Sequence, residues 1–121
     1  MQGMDERLFT QRTTQFALEV IRFVERLPRY GTAEVLGKQL LRAATSVGAN
    51  YRAACRGKSS ADVVAKLSVV EEEADEALYW LELLAESGVI ASAKVAGLVS
   101  EANELLAMMV ASIKTLRGRR G

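Results

Sequence analysis

Histidine is missing from this chain, and cysteine, proline and tryptophan occur once each. Each scarcity excludes something. Without histidine the chain lacks the commonest general base and the commonest metal ligand, so no Ser–His–Asp or Cys–His arrangement can be built. A lone Cys55 cannot form an internal disulfide and suits the reducing cytoplasm. A single proline, Pro28, leaves long stretches free to be helical. The uninterrupted apolar runs are short, and no transmembrane span is expected from them. Asp5, Glu6, Arg7 and Arg12 break any apolar stretch near the N-terminus, which argues against a signal peptide. No glycine-rich phosphate loop follows a strand-like segment.

What remains is a helix-forming composition. Half of the 121 residues are apolar and eighteen are alanine, the residue of highest helix propensity. This length suits one domain over residues 1–121. Three short breaks divide it: Pro28-Arg29-Tyr30-Gly31, Arg56-Gly57-Lys58-Ser59 and Ser87-Gly88-Val89-Ile90-Ala91. Each contains a glycine able to take the left-handed conformation that ends helices, and each is followed by a candidate N-cap: Thr32, Ser59 or Ser60, and Ser92. The spacing predicts helices over about 10–28, 33–56, 60–87 and 92–116, with a basic tail at 117–121.

Within each segment apolar residues recur in alternating steps of three and four. They are Phe16, Val20, Phe23 and Leu27 in the first; Leu36, Leu40, Ala43, Val47, Asn50 and Ala54 in the second. The third has Val63, Leu67, Val70, Ala74, Ala77, Leu81 and Leu84; the fourth Val95, Val99, Ala102, Leu106, Met109, Ile113 and Leu116. Such seams pack as a left-handed bundle, and short connections make neighbours antiparallel. The expected fold is therefore all-α, an antiparallel up-down-up-down four-helix bundle. Leu41, Val64, Val69, Tyr79, Trp80, Leu83, Leu98, Leu105 and Met108 lie off these seams. They either widen the core or leave an apolar surplus that joins copies of the chain.

The net charge of +1 hides an asymmetry. Residues 60–87 carry eight acids against Lys66, whereas 33–58 carry Glu34 against five bases. Helices of opposite charge favour specific pairing over a uniformly basic nucleic-acid surface. Within the acidic run, Glu71/Asp75 and Glu72/Glu76 repel at i,i+4. Folding back about residue 58 brings Arg42 level with Ala74, so an Arg42–Glu73 or Arg42–Glu76 pair is expected, within or between chains. A di-iron site in such a bundle needs Glu-x-x-His motifs, which this chain cannot supply, and no metal or other cofactor is expected.

Asn50 stands at a seam position otherwise held by apolar residues, where a paired amide fixes register and partner number. Gly48 inside the second helix is either tolerated or a point of close helix approach. Tyr79 and Trp80 could stack on nucleobases, but at helical spacing with Leu83 and Leu84 they suit a core or a subunit contact. Arg52, Arg56 and Lys58 flank Cys55, which reads as a packed or idle thiol without a second cysteine to use it. With Arg117, Arg119 and Arg120 these bases form a modest candidate phosphate-binding set. The tail alone also reads as frayed cations at a helix C-terminus.

The run Gln39-Leu40-Leu41-Arg42-Ala43-Ala44-Thr45-Ser46-Val47-Gly48-Ala49-Asn50 fits the pattern Gln-Leu-x-Arg-Ala-Ala-x-Ser-(Ile/Val)-x-x-Asn. With Gly57, Ser59, Leu67, Glu73 and Leu81-Glu82-Leu83 before Gly88, the chain resembles the four-helix-bundle proteins encoded in intervening sequences of bacterial 23S rRNA genes. The resemblance covers about residues 8–90, and its motif is one of packing rather than catalysis. Gly48 stands where members often have proline, and Ala53-Ala54 where they often have Glu-Gly. The resemblance implies a ring-like homopentamer. The same superfamily includes the accessory variability determinant of diversity-generating retroelements, a basic nucleic-acid-binding pentamer that contacts a reverse transcriptase.

These readings converge on a non-catalytic, cytoplasmic, homo-oligomeric helical scaffold. In it Arg42 and Asn50, with Glu73, Glu76, Gly48 and Trp80, specify assembly. The alternative is an RNA- or DNA-binding oligomer. No membrane and no small-molecule substrate are expected as partners.

Overall fold

A computed structural model describes residues 5–120, without the side chains of Arg119 and Arg120. It contains helices α1 (Glu6–Glu25), α2 (Gly31–Cys55), α3 (Ser60–Glu86) and α4 (Ser92–Arg120), and no strand among the described residues. The contacts order the helices. Gly48 meets Thr13 while Gly37 meets Leu27 and Val24, so α2 runs against α1. Gly57 meets Val63 while Arg42 reaches Glu73, so α3 runs against α2. Arg12 reaches Glu101 near the start of α1, and Arg26 shares a groove with Lys94 near its end, so α4 runs against α1. Adjacent helices α1·α2, α2·α3 and α3·α4 make the main contacts, and α1 touches α4 least. The fold is an all-α four-helix bundle.

Local chemistry explains where the helices start and stop. α1 begins earlier than the spacing predicts because Asp5 caps it, its carboxylate accepting from the Leu8 N–H at 3.0 Å. It ends by Glu25 because Pro28 disfavours helical backbone just before it. Thr32 is not the cap of α2. Tyr30 occupies that position without a side-chain bond, and Gly31 turns the chain at φ +63°. Ser59 does cap α3, accepting from the Asp62 N–H at 3.1 Å, while Asp62 accepts from the Lys58 N–H at 3.0 Å. Ser92 lies within α4 rather than ahead of it. α4 also continues through 117–120, where a loose tail was expected, since no proline stands there to break it.

The buried residues form one cluster drawn from all four helices. α3 buries all seven of its expected seam residues. Two other seams shift. On α2 the fully buried position is Tyr51, and Asn50 is only half-buried, its Nδ2 donating to the Ser46 carbonyl one turn back at 2.8 Å. Asn50 is therefore no buried inter-helix amide. On α4 Leu98 and Leu105 are buried while Val99 and Leu106 flank the core. With Val64 also inside, the apolar surplus is smaller than expected, and of the off-seam residues only Val69 and Tyr79 are exposed. Ser92–Gly118 is long and apolar enough to cross a membrane, contrary to the expectation from uninterrupted runs, because its apolar and small residues add up without being contiguous. Here Val95, Leu98, Ala102, Leu105, Met109, Ile113 and Leu116 turn into the core.

Tyr51 packs against Phe9 at 5.8 Å between ring centres, and its hydroxyl finds no hydrogen-bond partner among the described residues. Burial raises its pKa well above the ordinary phenol value, and the nearby Cys55 thiol raises it further without meeting hydrogen-bond geometry. Tyr51→Phe removes this orphan and is expected to stabilise the fold by about 1 kcal/mol at neutral pH. The folded state resists ionisation, so the wild type should lose stability as pH rises past about 10, where the unfolded chain's phenol releases its proton. Urea titrations at neutral pH and above pH 10 test both points; the variant should lose less on the alkaline side.

Gly48 within α2 and Gly57 in the connection to α3 differ in the space around them. A Cβ on Gly48 would lie 3.6 Å from Thr13 Oγ1, ordinary contact, so Gly48 is tolerated rather than required. A Cβ on Gly57 would run into Val63 Cγ2 and sit 3.2 Å from Val63 Cα. Gly48→Ala should therefore stabilise by up to about 1 kcal/mol through helix propensity. Gly57→Ala should destabilise by about 1–3 kcal/mol through overpacking. Thermal melts of the pair would show the opposite signs.

Candidate interaction site

The outer surface between α2 and α3 gathers four of the six residues expected to specify assembly. Arg42 sends its guanidinium across to α3, where Nη1 lies 3.3 Å from Glu73 Oε2 and Nη2 pairs with Glu76. Its Nε also donates to Gln39 Oε1 at 3.3 Å, so the fork is held on both sides. Glu76 accepts in addition from the Trp80 indole N–H at 3.3 Å. Trp80 is half-buried against the core, and Tyr79 meets it edge-on at 5.0 Å with 54% of its surface in water. Arg42, Glu73, Glu76 and Trp80 thus form one linked set. Asn50 does not join it, being bonded within α2. Gly48 faces α1, on the other side of α2.

The candidate phosphate-binding residues share one end of the bundle. The antiparallel order puts the start of α1, the end of α2, the start of α3 and the end of α4 there. Arg52, Arg56, Lys58 and Arg117 are all exposed at that end; the side chains of Arg119 and Arg120 lie outside the described residues. Acids interleave with them. Lys66 bonds Asp62 at 2.7 Å, and with the Lys58 N–H it holds that carboxyl below its usual pKa. Burial raises the Cys55 thiol above its ordinary pKa, the reverse of what its basic neighbours would do alone. The thiol is a weak nucleophile. Among the described residues no three Cys, Asp or Glu side chains are grouped as a metal would require.

Two features escaped the sequence reading. Arg12 forks onto Glu101, at 3.1 Å from Nε and 2.6 Å from Nη2, and reaches Glu104 at 3.0 Å. These bonds raise the Arg12 pKa, the one to Glu101 most. A separation of 89 residues leaves no local signal for such a clip. Beside it, the loose contact between α1 and α4 opens a groove of about 640 Å³ lined by Gln15, Glu19, Arg22, Phe23, Arg26, Lys94, Gly97, Leu98 and Glu101.

Arg42 offsets the repulsion within the acidic run, and its side chain is about half exposed, so each ion pair is screened and small. Reversing the charge also adds a sixth acid to the cluster. Arg42→Glu should therefore lower stability by about 1 kcal/mol at low salt, and less at about 0.5 M salt. Denaturant titrations at the two ionic strengths check this.

Comparison with known proteins places the chain by family and fold. No curated protein matches the chain. A crystal structure of a protein of unknown function from the S23 ribosomal protein family of Bacteroides thetaiotaomicron superposes with a TM-score of 0.81 and 29% identity. It covers 92% of this chain and 99% of its own. The family model of the 23S rRNA-intervening sequence protein matches residues 6–111. From its helix seams, its short connections and this match over nearly the whole bundle, the chain belongs to the 23S rRNA-intervening sequence protein family.

Proposed function

We propose that this chain is a non-catalytic, homo-oligomeric helical scaffold of the cytoplasm, pentameric as its resemblance implies. Tyr79 carries the reading. It sits in the second half of α3, more than half exposed, braced edge-on by Trp80, which the Glu76–Arg42 pair fixes in turn. Rigid aromatic side chains presented in this way are enriched at protein–protein contacts. The chain has no histidine to serve as a general base, and burial raises the Cys55 thiol, which leaves it a weak nucleophile. Light scattering on a size-exclusion column tests the proposal: the mass should be a multiple of 13.2 kDa, and a particle of 13.2 kDa would overturn it.

A second reading is a nucleic-acid-binding oligomer. Arg52, Arg56, Lys58 and Arg117 emerging at one end favour it, because repeated copies of a modest basic patch gain avidity. Binding to structured RNA should then be measurable at about 50 mM salt and fall steeply as salt rises. Absence of binding, or binding indifferent to salt, would remove it.

A further inference from the structure

Six of the eight acids of α3 fall into two sets. Glu73 and Glu76 turn towards α2 and are paired with Arg42. Glu72, Asp75, Glu82 and Glu86 are exposed, and among the described residues none of them is ion-paired. With Tyr79 they recur at steps of three, four, three and four, which on a helix makes one straight stripe. Its length is about 21 Å at 1.5 Å per residue. An aromatic ring thus stands in the middle of an unpaired acidic ridge.

The groove between α1 and α4 has the complementary character. Arg22, Arg26 and Lys94 line it, and among the described residues none has an ion-pair partner. Of its two acids, Glu101 is neutralised by Arg12, and Glu19 accepts from Gln15. Phe23 supplies an apolar wall. Gly97 lies at the groove within α4, and a Cβ there would meet nothing within 4 Å. Glycine weakens a helix interior, and no neighbour within the chain requires it at this position.

We propose that the α1/α4 groove of one copy receives the acidic α3 stripe of a second copy. Tyr79 of the incoming helix packs over Gly97 and Phe23, and its flanking acids meet Arg22, Arg26 and Lys94. Groove and stripe are different patches of the same chain, so the contact is head-to-tail, and its repetition closes a ring where the rotation permits. The unpaired charges on both sides and the open space above Gly97 then have a single explanation. The proposal rests on the oligomeric reading above and specifies its interface.

Light scattering of variants separates the two. Gly97→Leu puts bulk into the groove from a position where a Cβ meets nothing within 4 Å. Its helical circular dichroism and melting should match or exceed those of the wild type measured as monomer, while assembly is lost. Arg22→Glu with Arg26→Glu should also be monomeric, as should Asp75→Lys with Glu82→Lys. Mixing these two double variants restores opposite charges across the contact, and a species larger than either should form. A monomeric wild type would sink the oligomeric reading and the interface together. An oligomeric wild type whose mass is unchanged by Gly97→Leu and by both charge reversals would overturn this interface alone, as would reversed variants that stay monomeric when mixed.

Discussion

The apolar seam of α3 governs the arrangement of the other three helices. Val63, Leu67, Val70, Ala74, Ala77, Leu81 and Leu84 are all buried, and they must be covered from two sides. α2 and α4 both commit their own seams to that task, and they make the most extensive contacts in the molecule. Each buried Leu or Val contributes about 1.5–3 kcal/mol, far more than any surface ion pair here. Once α2 and α4 are placed by α3, α1 packs mainly on α2 through Phe16, Val20 and the close approach at Gly37. Its contact with α4 is reduced to the Arg12 clip and the walls of a groove.

That hierarchy separates what makes the fold from what makes a surface. The core is apolar and nearly free of polar groups; Thr13 and Ser112 are buried, and Thr13 returns its hydroxyl to the Thr10 carbonyl of its own helix. The one orphan among the described residues, the Tyr51 hydroxyl, lies near the end where α1 starts and α2 finishes. Among the described residues the Arg42 and Arg12 forks join helix to helix at the rim. Such pairs set which helix lies beside which at little gain in stability. The remaining charges, acidic on α3 and basic around the groove, are free to set how the bundle meets other molecules.

Much of this was legible from residue order. All seven expected seam residues of α3 are buried, with Val64 added beside Val63, because the steps of three and four run unbroken along the helix. Pro28 and the glycines placed the three connections within a few residues. The expected Arg42 partners followed from counting back from the turn, since antiparallel helices of equal rise keep a fixed register. The misread seams of α2 and α4 have a common cause. Asn50 and Tyr51 adjoin, as do Leu98 and Val99, and Leu105 and Leu106. Either member of each pair satisfies a step of three or four, because a helix of 3.6 residues per turn drifts against a seven-residue repeat.

The sequence by itself determined the class of fold, the number of helices, the places where they turn and the side of α3 that must be hidden. Those features arise from propensity, periodicity and backbone chemistry, which act over a few residues. The tertiary structure alone decided which of two adjacent residues enters the core. It also clipped Arg12 to Glu101 across 89 residues, stranded the Tyr51 hydroxyl and opened a groove beside Gly97. Each of these depends on how far apart two helices come to rest, and that distance is set by packing summed over the whole bundle.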